Sequence, residues 1–452
     1  MMKRKSLFFL LAIILISVSC NKGNKHIEIT AMDLHQEIER LSQVMVHDIF
    51  SPPVASRIFA YPNIAAYEIM TLKDPQYKSL SGQLTNLEPI PTPNPNDPVN
   101  FQLAALIAHI EIGKSLIFSE QSIEVYRDSL YKVWKNTNEE EFEASRLYAM
   151  QVSDHIKIWM DKDNYKQTRT MPKFTVKSDD PGRWQPTPPS YMDGIEPHWN
   201  KIRPFVLKTA DQFKPIPPPE FSMEKGSPFH NDLMEVYNIK MEMNEKGDNS
   251  EELVIAQFWD CNPYVSVNRG HLMFATKKIT PGGHWMGITR IACIKDQANF
   301  DKSLYAYTKT SIAMADAFIS SFDEKYRSNL IRPETLINKY MDDNWKPVLQ
   351  TPPFPEYTSA HSVVSGAAAI SLTDIFGDNF SFKDDTELSY GLPVRNYNSF
   401  NEASAEAAVS RMYGGIHYRA AVEVGLDQGR KLGNYVIETL EMDISKNKVA
   451  TN

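Results

Sequence analysis

Three short segments in the C-terminal half contain residue types that can bind an oxyanion. The first extends from Lys325 to Pro333 and places two cations, Lys325 and Arg332, seven positions apart. At about 100° per helical residue, this spacing returns Arg332 to within about 20° of Lys325, so both cations could reach one pocket from one helical face. Pro333 disfavours a helical Arg332, and we therefore expect the helix to end there. The alternative interpretation is a solvated basic face.

The second segment joins a proline-rich stretch, residues 351–357, to an alanine-rich helix that we expect to begin near Ser359. The hydroxyl group of Ser359 and the unpaired N–H groups of the first helical turn then point the same way, which suits an oxyanion. His361 lies in that turn and could exchange a proton with a bound group. The alternative is an N-cap serine beside an incidental histidine.

The third segment extends from Ser410 to His417 and contains Arg411. On an unbroken helix, Arg411 and His417 would lie about 120° apart and could not share a ligand. The pair Gly414-Gly415 can end one helix after Arg411 and let His417 approach from a new direction. An ordinary helix–loop–helix corner is the alternative.

Together the segments supply three cations, one hydroxyl group and two histidines. Three cations offset the charge of a tetrahedral oxyanion such as phosphate or vanadate, and arginine can bind two of its oxygens at once. One histidine could then bond the central atom while the other moves a proton. The combined set is Lys325, Arg332, Arg411, Ser359, His361 and His417.

The elements that position this set are predicted to be helical, because apolar residues recur at intervals of three and four along most of the chain. Strand-like alternation is scarce, so we predict an all-α fold with an N-terminal helical lobe, residues 20–213, and a C-terminal catalytic helical bundle, residues 214–445. Residues 279–285, which contain Gly-Gly-His-Trp, are predicted to form a loop. The predicted helices are Ile27–Ile49, Asn100–Phe118, Gln121–Trp134, Glu139–Lys162, Phe229–Met243, Glu251–Phe258, Lys302–Phe322, Ser362–Phe376, Glu402–Met412 and Arg419–Met442.

Composition, net charge and cysteine spacing limit the classes of protein to which this chain can belong. The 452 residues are 42% hydrophobic, which is typical of a globular chain with a large core. The net charge of −8 and the lack of a dense basic block argue against nucleic acid as a partner. Cys261 and Cys293 show no metal-binding or haem-attachment spacing, and we interpret both as buried thiols.

The N-terminus has the pattern of an export signal. A basic start, Met1–Lys5, precedes a short apolar run, Leu7–Ile16, which ends near Cys20. The segment resembles a bacterial lipoprotein signal, residues 1–19, with Cys20 as the lipid acceptor, although Ser17 stands where leucine is usual. We expect a periplasm-facing protein of the cell envelope that touches the membrane only through its lipid. Ordinary secretion and a retained signal anchor are the alternatives.

In this order, the three segments resemble the signature of the superfamily of vanadium haloperoxidases and type 2 phosphatidic acid phosphatases: K-x6-RP, PSGH and SR-x5-H. The first and third motifs match completely. In the second, Ala360 replaces the glycine and Thr358 replaces the proline. Alanine retains the amide donor if its φ is negative, whereas a positive φ would strain Ala360.

The proline-rich stretch, Pro352–Tyr357, looks like the haloperoxidase version of the superfamily. The resemblance implies that Phe354 faces a halide pocket and that Phe322 stands where haloperoxidases place a tryptophan beside the halide. It also implies that His417 bonds the vanadium of a vanadate cofactor and that His361 hydrogen-bonds its apical oxygen. The implied ligands of the equatorial oxygens, for vanadate or a substituting phosphate, are Lys325, Arg332, Arg411, Ser359 and the Ala360 amide.

The function implied by the resemblance is oxidation of halide by hydrogen peroxide to hypohalous acid, which would halogenate a small organic molecule. An acid phosphatase could use the same pocket, with His417 as nucleophile and His361 as the acid. A helical envelope lipoprotein with a binding role is the third hypothesis. Halide preference, organic substrate and oligomeric state are left open.

Overall fold

The computed structural model describes residues 25–262, 266–269, 272–275 and 278–445. The predicted signal peptide and Cys20 therefore lie outside the described residues. The described α-helices are α1 (Ala31–Asp48), α2 (Pro52–Thr71), α3 (Phe101–Lys114), α4 (Glu120–Thr137), α5 (Glu139–Met160), α6 (Tyr165–Thr168), α7 (Pro228–Lys246), α8 (Glu251–Phe258), α9 (Pro281–Lys295), α10 (Phe300–Ser328), α11 (Pro333–Tyr340), α12 (Ala360–Phe376), α13 (Phe400–Tyr413) and α14 (Arg419–Thr439).

Strands are few in the described part of the chain. Two antiparallel pairs are present, β1 (Ser266–Arg269) with β2 (Leu272–Ala275), and β3 (Phe382–Asp384) with β4 (Arg395–Tyr397). Neither pair extends into a larger sheet, and the prediction of an all-α fold is confirmed. None of the described helices is both long enough and apolar enough to cross a bilayer.

Helix α10 is the central element of the fold. Its 29 residues are buried along most of their length, and it packs against α2 and α12. Helix α12 in turn packs most extensively against α14. These two helices approach each other backbone to backbone, because a Cβ atom on Gly429 would lie only 2.0 Å from the carbonyl oxygen of Val363. Small residues in α12 and α14 thus permit this close packing, which holds α12, the helix that begins after Ser359, in position.

One hydrophobic core connects the two halves of the chain. Buried residues from Ile27 to Met442 belong to the same cluster. Asp316 on α10 also accepts hydrogen bonds from the backbone N–H groups of Phe205, Val206 and Leu207, which ties the connecting segment to the central helix. The division into lobes at residue 213 stays a prediction.

Two helical assignments from the sequence were wrong. Residues 281–285 begin α9 and do not form a loop: Thr280 caps the helix by accepting a hydrogen bond from the Gly283 N–H at 3.1 Å, and Pro281 suits the first turn. The two glycines resemble a turn in sequence but lie in a crowded helix start. Helix α2 was missed altogether, because its interior Pro62 interrupts the usual helical pattern.

Candidate active site

The first cation of the predicted set is anchored by the loop that precedes α12. Lys325 is fully buried on α10, and its Nζ donates to the carbonyl oxygens of Pro355 at 3.2 Å, Glu356 at 3.1 Å and Thr358 at 2.6 Å. Burial, and then the nearby charge of Arg332, hold the pKa of Lys325 well below its ordinary value. The three hydrogen bonds from Nζ hold the loop before α12 against α10.

Arg332 reaches the same loop from a different element. Helix α10 ends at Ser328, Asn329 adopts a left-handed conformation, and Arg332 is an extended residue before α11. The helix was expected to end at Arg332 but ends four residues earlier, so the prediction that one helical face presents both cations was wrong. The left-handed conformation of Asn329 ends the helix four residues before Pro333.

The guanidinium group of Arg332 is only partly satisfied. Its Nε donates to the Phe354 carbonyl oxygen at 3.0 Å, and its Nη1 donates to the Ile416 carbonyl oxygen at 2.7 Å. Nη1 also lies 3.1 Å from Nε2 of His417. The remaining nitrogen, Nη2, is buried without a hydrogen-bond partner. Burial lowers the pKa of Arg332 to about 10, so the group stays charged at neutral pH.

The third cation and the second histidine meet where the chain turns. Helix α13 ends at Tyr413, and Gly415 has a φ of 76°, which glycine adopts without strain. Arg411 is buried and donates from Nη1 to the Trp259 carbonyl oxygen at 2.7 Å. Both Arg411 and His417 line one cavity. The glycine pair thus brings together two side chains that one continuous helix would separate.

His417 is oriented by a carboxylate that the sequence analysis did not select. Its Nδ1 lies 2.7 Å from Oε1 of Glu356, which also accepts the Tyr418 backbone N–H at 3.0 Å. Burial and the surrounding cations, first of all Arg332, lower the pKa of His417 well below its ordinary value. The neutral ring therefore carries its proton on Nδ1 and presents a lone pair on Nε2. Glu356 is the only carboxylate between Thr351 and Ser362, a signal that could have identified it.

The start of α12 forms another side of the site. Ser359 is the N-cap residue, and its Oγ accepts the Ser362 N–H at 3.3 Å. Ala360 is the first helical residue and is not among the residues with positive φ, so alanine is accommodated without strain. Nε2 of His361 is buried without a hydrogen-bond partner. Burial, and then Arg411, hold the pKa of His361 well below its ordinary value.

Aromatic and proline side chains close the other wall of a cavity of about 50 Å³. The ring centroids of Phe322 and Phe354 lie 5.3 Å apart. The Phe354 ring also contacts two cations, with its centroid 4.9 Å from Nζ of Lys325 and 5.2 Å from Cζ of Arg332. Of the predicted site residues, those that line the cavity are Phe322, Phe354, Ala360, His361, Arg411 and His417. Lys325, Arg332 and Ser359 are fully buried and are not among the lining residues.

The site carries an excess of buried positive charge. Among the described residues, Lys325, Arg332 and Arg411 form no ion pair with a carboxylate within 4.0 Å, and Glu356 is bonded to His417. Unpaired buried charge is costly unless a ligand compensates for it. The unpartnered Nη2 of Arg332 and Nε2 of His361 supply a donor and a proton-exchanging nitrogen. This donor set fits a compact oxyanion such as vanadate or phosphate.

Comparison with known proteins supports this interpretation. Residues 305–446 match the second helical-bundle domain of VCPO. A crystal structure of the first bacterial vanadium-dependent iodoperoxidase is 62% identical, covers 93% of this chain and 99% of its own, and has a TM-score of 0.90. No curated protein shows a significant sequence match.

Two more distant structures share the fold. The holo form of a bacterial vanadium-dependent chloroperoxidase is 16% identical over 87% of this chain and 93% of its own, with a TM-score of 0.63. The apo form is 15% identical over 86% of this chain and 94% of its own, with the same TM-score. The 62% identity to the iodoperoxidase, which extends over 93% of this chain, establishes the family of the whole chain. The chain belongs to the family of bacterial vanadium-dependent haloperoxidases.

Proposed function

We propose that this protein oxidises iodide with hydrogen peroxide to hypoiodous acid and that vanadate is its cofactor. The observation that carries the proposal is the cluster of three buried cations beside the two neutral histidines, with Arg332 Nη2 and His361 Nε2 left without partners. The 62% identity to a bacterial iodoperoxidase supports iodide as the halide. The reaction consumes hydrogen peroxide, iodide and one proton, and it releases hypoiodous acid and water.

The residues present fit vanadate. Arg332 and Arg411 would donate to its oxygens, assisted by the Ser359 hydroxyl group and the Ala360 amide, while Lys325 supplies a third positive charge. Nε2 of His417 would be the protein ligand to the metal. When bound, vanadate supplies a Lewis acid that polarises the O–O bond of peroxide without changing its oxidation state.

His417 is prepared for this role by two neighbours. Glu356 accepts a hydrogen bond from the Nδ1–H group, which leaves the lone pair of the ring on Nε2. Arg332 donates to that same Nε2 from Nη1 at 3.1 Å, and this hydrogen bond would be released when Nε2 bonds the metal. The tautomer is thus fixed before a ligand arrives, and no proton has to leave the ring.

His361 is placed to move the proton of the substrate. His361 lines the cavity, and its lowered pKa keeps the ring neutral, so the unpartnered Nε2 can accept a proton from hydrogen peroxide. It can then return this proton to the departing oxygen, which leaves as water. The rings of Trp259 and His361 form a T-shaped contact with their centroids 6.1 Å apart. This contact restricts the orientation of His361.

The aromatic wall favours iodide. Phe318, Phe322 and Phe354 line the cavity and offer no hydrogen-bond donors to replace halide hydration. Because iodide is the most weakly hydrated and most polarisable of the common halides, it loses least on entering such a site. Smaller halides would pay a higher desolvation cost.

Steady-state rates test this function. The purified protein should oxidise iodide with hydrogen peroxide only after incubation with orthovanadate, and bromide or chloride should react more slowly. Equal rates for all three halides would contradict the iodide proposal. Hydrolysis of a phosphomonoester by the vanadate-free protein, blocked by vanadate, would instead assign the site to a phosphatase.

We also propose that the protein is exported and is anchored at the periplasmic side by lipid on Cys20. The basic start, the apolar run and the position of Cys20 support this proposal. Metabolic labelling with a radioactive fatty acid should mark the wild type and leave Cys20→Ser unlabelled. Cys261 and Cys293 remain in the variant, so label retained by Cys20→Ser would contradict the proposal.

A further inference from the structure

A second buried polar cluster adjoins the active-site cavity, and one of its members, Cys261, lines that cavity. It consists of Cys261, His284 and Glu387, which are 3%, 0% and 4% exposed. The three residues come from the segment after α8, the first turn of α9 and the loop after β3. One ligand atom from each of them lies within 4.8 Å of the other two. The cluster contains none of the residues assigned above to vanadate or to halide.

Two of the three separations within this cluster match a tetrahedral metal centre, and the third is below 4.8 Å. The Sγ atom of Cys261 lies 3.7 Å from Nδ1 of His284, and Nδ1 lies 3.3 Å from Oε1 of Glu387. Zinc bonds of about 2.3 Å to sulfur and about 2.0–2.1 Å to nitrogen or oxygen, at tetrahedral angles, give roughly 3.6 Å and 3.3 Å for these pairs. The positions of the three side chains therefore already suit a common ion.

The other nitrogen of the His284 ring is bonded as in metal-binding histidines. Nε2 lies 2.8 Å from Oδ2 of Asp384, which is itself fully buried. A carboxylate that accepts the Nε2 proton leaves the Nδ1 lone pair directed at a metal ion. Asp384 also accepts the Thr386 hydroxyl group at 2.6 Å, so the carboxylate is held in place.

Glu387 supplies an independent observation. Its Oε1 is buried and makes no well-formed hydrogen bond, and the atom paired with it, Nδ1 of His284 at 3.3 Å, belongs to the cluster itself. A buried carboxylate oxygen normally has a well-formed hydrogen bond or a cation beside it. A divalent ion bound between the three side chains would be a ligand partner for this oxygen.

We propose that Cys261, His284 and Glu387 form a binding site for a divalent transition-metal ion, best matched by zinc, which adjoins the vanadate pocket and shares none of the proposed vanadate ligands. Sulfur and nitrogen ligands exclude calcium and magnesium, which prefer oxygen. His284 stacks on Trp259, with ring centroids 4.4 Å apart, and the carbonyl oxygen of Trp259 accepts from Arg411. The ion would therefore stiffen the wall that holds one of the vanadate-binding arginines.

Metal analysis of the complete protein tests this site. Protein equilibrated with zinc and then dialysed should contain about one zinc ion per chain, and Cys261→Ser and Glu387→Gln should each contain less than about a tenth of that. Cys293→Ser is the matched control, because Cys293 is a buried thiol outside the cluster, and it should retain zinc. His417→Ala should also retain zinc, which separates this site from the vanadate site.

Cobalt gives a spectroscopic readout that does not depend on activity. Protein loaded with Co²⁺ should show a thiolate-to-cobalt charge-transfer band in the near ultraviolet, and Cys261→Ser should lack it. Wild-type protein that binds neither zinc nor cobalt would overturn the proposal, as would Cys261→Ser with full zinc content. Circular dichroism checks that each variant is folded, and if Cys261→Ser is not, the zinc content of Glu387→Gln decides.

Discussion

Oε1 of Glu356 lies 2.7 Å from Nδ1 of His417, and both side chains are buried. The same oxygen accepts the backbone N–H of Tyr418, while the Glu356 carbonyl oxygen accepts from Lys325. Glu356 thus orients His417 through its side chain and accepts a hydrogen bond from Lys325 through its backbone carbonyl oxygen. This arrangement couples the proton position on His417 to the loop that encloses the oxyanion.

Glu356→Gln should weaken vanadate binding by about 10- to 100-fold, because the neutral amide is a poorer acceptor for the Nδ1 proton. Titration of iodide oxidation with orthovanadate measures the change. Glu68→Gln is the matched control: Glu68 is a buried carboxylate bonded to Ser79 and to the Leu80 N–H. If both variants bind vanadate like the wild type, Glu356 does not orient His417.

Ala360→Gly should leave the iodide-oxidation rate and the vanadate affinity within about twofold of the wild type. The residue already has helical geometry, so the amide points the same way with either side chain, and glycine adds only a backbone cost of about 0.5–1 kcal/mol. Activity and the free energy of unfolding would both be measured. A gain of tenfold or more in vanadate affinity would show that alanine distorts the site.

Phe322→Leu should lower kcat/KM for iodide several-fold and leave vanadate affinity unchanged. The Phe322 ring packs on Phe354 and borders the cavity, whereas the cations contact Phe354 itself. Phe300→Leu provides the control for loss of a buried ring at the other end of α10. An unchanged halide KM together with weaker vanadate binding would reverse the assignment.

His35→Gln should flatten the pH dependence of stability between about pH 4 and 6.5. Burial lowers the pKa of His35 to about 4 in the folded protein, where its Nδ1 contacts the Tyr307 hydroxyl group at 2.8 Å. Below pH 6.5 His35 binds a proton in the unfolded chain but stays neutral in the folded chain until about pH 4. The stability of the wild type therefore falls as the pH drops through this range. The loss reaches about 3 kcal/mol across this range. Urea unfolding at several pH values measures it, and equal slopes for the two proteins would contradict the expectation.

Much of the architecture was accessible from the sequence because it rests on local patterns. Helical periodicity predicted the all-α fold, Ser359 could be recognised as an N-cap, and Gly414-Gly415 marked the turn before His417. Of the residues selected by the superfamily motifs, four line one cavity: Ala360, His361, Arg411 and His417. These signals lie within a few positions of one another along the chain.

The remaining features depend on contacts between distant segments. Trp259 meets Arg411 across 152 positions, and no spacing rule relates them. His284 contacts Asp384, which lies 100 positions away in the sequence. The second cluster was therefore missed, and the Gly-Gly pair before His284 was interpreted as part of a loop. The turn at Asn329 was missed because asparagine favours a left-handed helix end only as a statistical tendency.

The most direct test is a titration of orthovanadate against the rate of iodide oxidation, with vanadium content measured in parallel, for the wild type, His417→Ala and His361→Gln. The wild-type rate should saturate at about one vanadium per chain. His417→Ala should bind no vanadium and remain inactive, whereas His361→Gln should bind vanadium but lose about 10²–10⁴-fold in kcat. Vanadate-dependent iodide oxidation that survives in His417→Ala would contradict the assignment of this histidine and of the pocket around it.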